Sequence, residues 1–152
     1  MPEKYEGLGI SLLYPETWTL DEDQDAQGLT IETPSGSFLT ISLCQDLQGA
    51  FDQARETMEK EYEEVEYEDS VLQLAHLTLR GITQRFVFLD LIVTSRLLTL
   101  ETGDNKYLVQ IQGEDRDLEQ QQLVFDAILT SMCQSLAETP VAAPKALPDD
   151  TQ

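Results

Sequence analysis

Short runs of alternating apolar and polar residues predict β-strands in the first third of the chain. Apolar side chains alternate along residues 8–14, and Pro15 ends that run. Residues 29–33 and 38–44 alternate in the same way. They are joined by Pro-Ser-Gly-Ser, in which proline fixes φ and glycine accepts a positive φ. These two runs and their turn predict the clearest hairpin in the chain.

Two other segments have a helical period. Apolar residues recur every three or four positions over residues 47–65, and Asp46 precedes them as the expected N-cap. The same spacing covers residues 118–136, with Asp115 or Asp117 as the expected N-cap. The outer face of the first helix carries mainly carboxylates. We interpret it as a solvated face, with a docking surface for a basic partner as the alternative.

The segment between the helices, residues 70–112, has β character throughout. Residues 86–89 and 91–93 are apolar in consecutive positions, which predicts that both faces of these strands are covered. The stretch 82–101 is too long for one typical strand and must contain a hairpin. No glycine or proline marks the turn of that hairpin. Residues 102–105, Thr-Gly-Asp-Asn, form a strong turn signal before the last strand.

The order of these elements indicates an α+β fold. Three strands, a helix, four strands and a helix follow one another without regular β-α-β alternation, which favours an antiparallel sheet. We expect six to seven strands flanked by helices on both faces, an α/β/α sandwich. Residues 1–137 would form this single domain. Residues 138–152 are rich in proline and lack aromatic residues and periodicity, which predicts a disordered tail.

Charge narrows the choice of partner. The 152 residues include 29 Asp and Glu against 9 Lys and Arg, a net charge of −20. Such a field repels phosphate, so nucleic acid and anionic membranes are poor partners, whereas basic proteins and cations are attracted. The first ten residues lack the pattern of a secretory signal, which predicts a cytoplasmic protein. Cys44 and Cys133 are expected to be reduced, buried thiols.

A family resemblance follows from the order of the elements and from one short motif. A strand ending in Tyr14-Pro15 is followed by Trp18, a strand pair, a helix, a β meander and a final helix. Residues 5–136 thereby resemble the PsbP-like superfamily. That group includes the photosystem II extrinsic subunit, a Ran-binding import factor, DcrB-like lipoproteins and chaperones of type VI secretion effectors. The resemblance implies an α/β/α sandwich and mostly binding functions, without specifying a partner. Trp18 is expected to anchor the core, with ligand stacking as the alternative.

One acidic segment has the spacing of a calcium loop. Asp21, Asp23 and Asp25 stand at its first, third and fifth positions, and Glu32 stands at its twelfth. Ca²⁺ requires such oxygen ligands to converge at about 2.3–2.6 Å. The sixth position, where the sharp turn favours glycine, is Ala26. In so acidic a chain a solvated loop is the simpler interpretation, and a Ca²⁺ site is the alternative.

Other candidates for chemistry are few. His76 lies in a β run without a local nucleophile or orienting carboxylate, which favours a structural role. The chain has no glycine-rich nucleotide loop, CxxC or HExxH motif. Arg80, Arg85 and Arg96 fall in the meander, where we expect them to pair with carboxylates. An anion-binding or partner-contact surface is the alternative for these arginines.

Together these patterns predict a non-enzymatic protein-binding adaptor or chaperone-like module that needs no cofactor. Its partner would be a basic or hydrophobic protein. Two other functions stay open at this point. One is a divalent-cation protein that uses residues 21–32 to bind Ca²⁺. The other is a hydrolase that uses a pair of carboxylates, for which the sequence identifies no catalytic residue.

Overall fold

The computed structural model describes residues 2–138, and it describes side chains as far as residue 136. Within this range the chain forms nine strands and two helices. In chain order they are β1 (Pro2–Gly7), β2 (Ile10–Pro15), β3 (Thr19–Asp23), β4 (Gly28–Glu32), β5 (Phe38–Cys44), α1 (Leu47–Glu61), β6 (Glu66–Leu74), β7 (Leu77–Phe88), β8 (Leu91–Thr102), β9 (Asn105–Glu114) and α2 (Asp115–Glu138).

Seven of the strands form one antiparallel sheet in the order β3-β4-β5-β9-β8-β7-β6. The outer strands β3 and β6 are both rich in carboxylates, a composition that discourages pairing with another chain at a sheet edge. β1 and β2 form a separate antiparallel hairpin. The predicted α+β class and the antiparallel sheet are therefore confirmed.

Helix α2 covers one face of this sheet. Its buried residues Phe125, Leu129 and Met132 pack with the β1–β2 hairpin and with apolar side chains of β4, β5, β8 and β9. Two serines of α2 also bind the outer edge of β2, because the Ser131 and Ser135 Oγ atoms accept hydrogen bonds from the Leu13 and Ser11 amides at 3.0 and 3.1 Å. The β1–β2 hairpin is thus fixed to α2 by apolar packing and by hydrogen bonds.

Helix α1 packs against the opposite face. Asp46 is its N-cap, as predicted, and the carboxylate accepts a hydrogen bond from the Gly49 amide at 3.0 Å. Leu47 and Met58 are the residues of α1 that are buried. Leu97 and Leu98 are both fully buried although they point to opposite faces of β8, which agrees with a sheet that is covered by a helix on each side.

Several boundaries differ from the predictions. β1 and β3 were not predicted, because Lys4 and the carboxylates of residues 21–23 hide any alternation. α1 ends at Glu61, and Tyr62 is already extended. At the start of α2 the capping carboxylate belongs to Glu114, which accepts a hydrogen bond from the Arg116 amide at 2.8 Å. Asp115 and Asp117 lie in the first turn of the helix.

The prediction that residues 86–89 and 91–93 are covered on both faces is wrong for most of them. Phe86 is buried, but the side chains that follow it toward the turn are exposed. Strand pairing explains the difference, because β6 begins opposite Arg85 and β9 ends opposite Val93. The end of the β7–β8 hairpin therefore extends past the elements that would cover it.

One further prediction meets the limit of the described range. Of the predicted tail, residues 138–152, Glu138 is the last residue of α2, and the remainder lies outside the described residues. Neither helix in the described part of the chain has the length and apolar composition needed to cross a membrane.

Candidate functional site

The most unusual surface of the molecule is the end of the β7–β8 hairpin, residues 87–92, which we call the hairpin tip. Val87 pairs with Ile92 and Phe88 pairs with Leu91, and these pairs lie beyond the last residues that β6 and β9 contribute to the sheet. Within residues 2–138 no other strand pairs with the hairpin tip. Its backbone and side chains therefore project from one end of the sheet.

The hairpin tip is almost entirely apolar and exposed. Its large hydrophobic side chains have exposed fractions from 44% to 78%; they belong to Val87, Phe88, Leu89, Leu91 and Ile92. Single exposed hydrophobic residues are common on protein surfaces, but contiguous apolar patches mark interaction sites. The five residues surround the end of the hairpin, with Val87 and Ile92 on one face and Phe88 and Leu91 on the other.

The turn of the hairpin tip has a conformation that disfavours its residues. Leu89 and Asp90 both have positive φ values, 51° and 65°. A two-residue hairpin turn with two positive φ values is normally occupied by Asn-Gly or Asp-Gly, because a Cβ atom is disfavoured there. Leu89 therefore has an unfavourable backbone conformation, and its side chain gains little from burial because it is 78% exposed. Such strain is often found where a side chain is held for function.

Aromatic contacts support the base of the hairpin tip. The Tyr62 ring stacks on Phe86 with centroids 4.0 Å apart, and it meets the edge of Phe88 at 5.6 Å. Tyr62 directly follows α1, so these contacts join the end of that helix to the hairpin. The orientation of the hairpin tip is thereby fixed relative to the sheet.

A concave surface of about 480 Å³ adjoins the hairpin tip. Val65, Phe86, Val87 and Ile92 contribute its apolar lining. This volume lies within the range of pockets that accept small ligands or single large side chains. We call this surface the tip pocket.

Charged side chains, mostly carboxylates, also line the tip pocket. Glu63, Glu64 and Glu66 line its rim, together with the cation Arg85. The Arg85 guanidinium is already shared between two carboxylates, because it lies 3.9 Å from Glu68 and 4.0 Å from Asp115. The rim therefore presents negative charge around an apolar centre.

The four carboxylates of the calcium hypothesis lie on the β3–β4 hairpin. Asp21 and Asp23 are in β3, Asp25 is in the turn, and Glu32 is at the end of β4 opposite Thr19. The Asp23 carboxylate accepts a hydrogen bond from the Ala26 amide at 3.1 Å and so shapes the turn. No group of three or more His, Cys, Asp or Glu side chains in the described range is arranged to hold a metal ion. The Ca²⁺ site stays a prediction.

The other sequence candidates occupy separate places. His76 is exposed in the two-residue turn between β6 and β7, with φ of 74°. Trp18 is buried with its ring centroid 5.1 Å from that of Phe125, which fits its expected place in the core. Arg85 and Arg96 share the α2 face of the sheet, whereas Arg80 is on the opposite face of β7.

The two cysteines are free thiols with low reactivity. Cys133 is fully buried, and burial raises the pKa of its thiol from 9.0 to about 11. Cys44 is partly buried, which also raises the pKa of its thiol. Both shifts disfavour the thiolate, the form required of a nucleophile. The predicted reduced state is what the structure describes, and Cys44 is less buried than predicted.

A second apolar surface lies between the β1–β2 hairpin and α2. It has a volume of about 510 Å³, and Leu13, Tyr14, Val124 and Ile128 are among the residues that line it. We call it the α2 groove. Leu123 stands 83% exposed on α2 outside the lining of this groove, and it serves below as a control for the hairpin tip.

Comparison with known proteins establishes the fold. No family model matches the sequence, and no curated protein sequence matches it significantly. Solved structures do match. The cyanobacterial PsbP of Synechocystis superposes with a TM-score of 0.57 at 10% identity, covering 86% of this chain and 90% of that one. The Ran-binding protein Mog1p of Saccharomyces cerevisiae superposes with a TM-score of 0.51 at 11% identity. The match covers 90% of this chain and 93% of Mog1p.

The chain has the PsbP-like fold. A crystal structure from Bacteroides thetaiotaomicron gives a TM-score of 0.58 at 16% identity, with 85% of this chain covered. This chain spans about half of that protein, 47% of its length. The PsbP-like fold expected from the order of the elements and from Tyr14-Pro15 and Trp18 is therefore confirmed. Sequence identities this low show the fold alone.

The hairpin tip was missed at the sequence level, although one signal was present. The consecutive apolar residues 86–89 and 91–93 predict strands that are covered on both faces. The same pattern also describes an exposed apolar hairpin, and the interruption by Asp90 between two leucines was the clue to its turn. Sequence could not show that β6 and β9 stop short of this turn.

Proposed function

We propose that this protein is a non-catalytic protein-binding module, and that its hairpin tip binds a segment of the partner that is both basic and apolar. An apolar side chain of the partner would enter the tip pocket, while flanking lysines or arginines face the carboxylates of its rim. The observation that carries this proposal is the run of exposed apolar side chains from Val87 to Ile92.

Energetics favour this surface as an anchor. Binding energy at protein interfaces is concentrated in a few well-packed apolar or aromatic contacts surrounded by polar residues. The hairpin tip offers apolar area that is exposed without a partner, at about 25 cal/mol for each Å² buried. Because Tyr62 holds the base of the hairpin, little conformational entropy is lost when a partner binds.

Charge selects among the occupants that an apolar surface could accept. A second copy of this chain would bring the same acidic rim and the same net charge of −20, so self-association is opposed. An anionic membrane would be repelled for the same reason. A basic protein segment is attracted, and complementary charge raises its association rate. The net charge and the local rim therefore favour the same partner chemistry.

The structural neighbours are consistent with binding as a use of this fold. Mog1p is a Ran-binding protein, and its structure covers 90% of this chain. At 11% identity this neighbour supports the class of function and says nothing about the partner.

A labelled peptide tests the proposal. The probe is a short dye-labelled peptide with Leu-Phe-Leu at its centre and lysines on both sides, and fluorescence anisotropy measures its affinity. We expect saturable binding that weakens as salt increases. Two control peptides, one with glutamates in place of the lysines and one with serines in place of the apolar residues, should bind at least about tenfold more weakly.

Matched variants locate the binding. Ile92→Ser removes an exposed apolar side chain from the tip pocket and should weaken the binding of the probe peptide about tenfold. Leu123→Ser removes a leucine of α2 that is even more exposed, and it should leave the affinity within about twofold. Equal affinities of the two variants would show that the hairpin tip is not the binding surface.

The rim is tested separately. Replacing Glu64 and Glu66 with glutamine should slow association and flatten the salt dependence, because rim charges act mainly on the association rate. Glu101→Gln combined with Asp104→Asn also removes two exposed carboxylates, near the far end of β8, and is the control. A salt dependence that responds equally to both changes would mean that the attraction comes from net charge alone.

A further inference from the structure

A charged cleft of about 380 Å³ lies on the α2 face of the sheet, and Arg85 is the residue that it shares with the tip pocket. Its floor is formed by β6, β7 and β8, and its wall is the first half of α2. The volume is within the usual range for small-molecule sites. Its lining is mainly polar, so the kind of ligand it accepts is decided by the placement of charge.

Strand register places two arginines on the floor of the cleft. Arg96 of β8 is opposite Thr83, and Arg85 of β7 is opposite Thr94. Paired residues of an antiparallel sheet share a face, so both guanidinium groups are on the side of α2. Arg85 is already engaged by Glu68 and Asp115. Arg96 is the arginine of this pair that has N–H donors available for a ligand.

The contacts of Arg96 leave most of its guanidinium available. One of its amino groups donates a hydrogen bond to the Ser70 Oγ at 2.9 Å. Within the described residues Arg96 is in no ion pair closer than 4.0 Å. The carboxylate of Asp126, in α2, is the opposite charge that acts on it. A guanidinium group carries further N–H donors in a planar fork that suits carboxylates.

Asp126 and Arg96 both line the cleft and act on each other electrostatically, but they do not form an ion pair within 4.0 Å. Burial raises the pKa of Asp126 and lowers that of Arg96, and in each case the opposite charge only partly offsets burial. Both groups are thus partly removed from water without direct contact with each other. Partly buried charges of this kind are stabilised when a partner of opposite charge supplies hydrogen bonds.

We propose that the charged cleft binds a small zwitterion of the amino-acid type. Its carboxylate would lie on the free donors of Arg96, and its ammonium group would lie on the carboxylate of Asp126. Such a ligand carries a negative and a positive charge at separate ends, so it pairs with Arg96 and Asp126 at the same time. A simple anion or a simple amine would pair one of them and leave the other unpaired. Glu119, on the same wall, adds a further acceptor for the ammonium group.

Chemical-shift mapping of the isotope-labelled full chain tests this. The probes are the standard amino acids taken singly, together with 4-aminobutyrate, and the single-charge controls are butyrate and butylamine. We expect at least one zwitterion to give saturable shifts at the amides of Thr83, Arg96 and Gln122. Butyrate and butylamine should bind at least about tenfold more weakly. If every zwitterion fails, or if butyrate binds as tightly, the proposal is wrong.

Variants connect the response to the two charges. Arg96→Gln and Asp126→Asn should each weaken the binding of the zwitterion at least about tenfold, because each leaves one ligand charge unpaired. Arg80→Gln, on the other face of β7, is the matched control and should leave the affinity within about twofold. Arg96→Lys keeps the charge but loses the fork, so it provides a second measurement if Arg96→Gln lowers the melting temperature. Unchanged binding in Arg96→Gln would overturn the proposal, whatever the peptide experiments show.

Discussion

Tyr62 and Phe86 stack with their ring planes 18° from parallel and their centroids 4.0 Å apart. Tyr62 follows the last residue of α1, and Phe86 is the last buried side chain of β7 before the hairpin tip. Phe88 adds an edge contact to the same tyrosine at 85°. This three-ring arrangement is the point at which the covered part of the sheet passes into the exposed apolar surface that we assign to a partner.

The stacked pair should contribute measurably to stability. We expect Tyr62→Leu and Phe86→Leu to lower the free energy of unfolding by less in combination than the sum of the two single effects. The difference should be about 0.5–1.5 kcal/mol, the usual value for an aromatic pair beyond burial of area. Urea unfolding of the two single variants and the double variant measures it. Tyr67→Leu, an exposed tyrosine of β6, should instead be additive with Phe86→Leu, and non-additivity there would contradict the assignment.

Periodicity predicted the sheet and the helices well because their apolar residues face one core. The alternation of residues 38–44 and the helical stripe of residues 118–136 both correspond to buried faces in the structure. β3 escaped prediction because it is an edge strand, and its acidic side chains are exposed on both faces. An edge strand needs no apolar face, so hydrophobic pattern gives little indication of it.

The candidate site could not be predicted because it depends on what is missing around it. Whether Val87 and Ile92 are covered is decided by where β6 and β9 end, and these strand ends are set by tertiary pairing. The charged cleft has the same origin. Arg96 and Asp126 are 30 positions apart, and only the packing of α2 on the sheet brings them together.

A better-suited turn at the hairpin tip should make the protein more stable but weaken its binding of the peptide. Replacing Leu89-Asp90 with Asn-Gly suits two positive φ values and should raise the free energy of unfolding by about 0.5–1 kcal/mol. The same change removes an exposed leucine from the hairpin tip, so we expect the basic-apolar peptide to bind more weakly. Urea unfolding and fluorescence anisotropy measure the two effects on one variant.

A second turn of the same kind provides the control for this experiment. Ala75 and His76 also have positive φ values, 50° and 74°, in the turn between β6 and β7. Asn-Gly at this position should stabilise the protein similarly while peptide affinity stays within about twofold. Weaker peptide binding in both turn variants would mean that stability, and not the leucine, controls the affinity.

Stability should fall at alkaline pH because of Cys133. Burial raises the pKa of its thiol from 9.0 to about 11, so the native state keeps a proton that the unfolded chain releases. The contribution of the protonated Cys133 thiol to the free energy of unfolding is complete below pH 9 and is lost as pH rises toward 11. It amounts to at most about 2–3 kcal/mol. Urea unfolding at pH 8 and pH 11 should show a smaller decrease for Cys133→Ala than for the unchanged protein, and equal decreases would contradict this account.

Calcium should bind weakly at the acidic hairpin. Glu32 is opposite Thr19, four residues along β3 from Asp23, which corresponds to about 13 Å at the usual rise of a strand. Ligands of one Ca²⁺ ion must converge to about 2.3–2.6 Å from it, so Glu32 and Asp23 are not expected to share an ion. Thermal unfolding should therefore be insensitive to Ca²⁺. A rise in melting temperature that saturates with Ca²⁺ and disappears in Asp23→Ala would establish the site instead.

The assignment of the hairpin tip is tested most directly by mapping where the basic-apolar peptide binds. Chemical shifts of the labelled protein, followed during titration with that peptide, report the contacted surface residue by residue. We predict that the largest saturable changes fall at Val87, Leu89 and Ile92. Changes concentrated instead at Leu13 and Val124, in the α2 groove, would contradict the account.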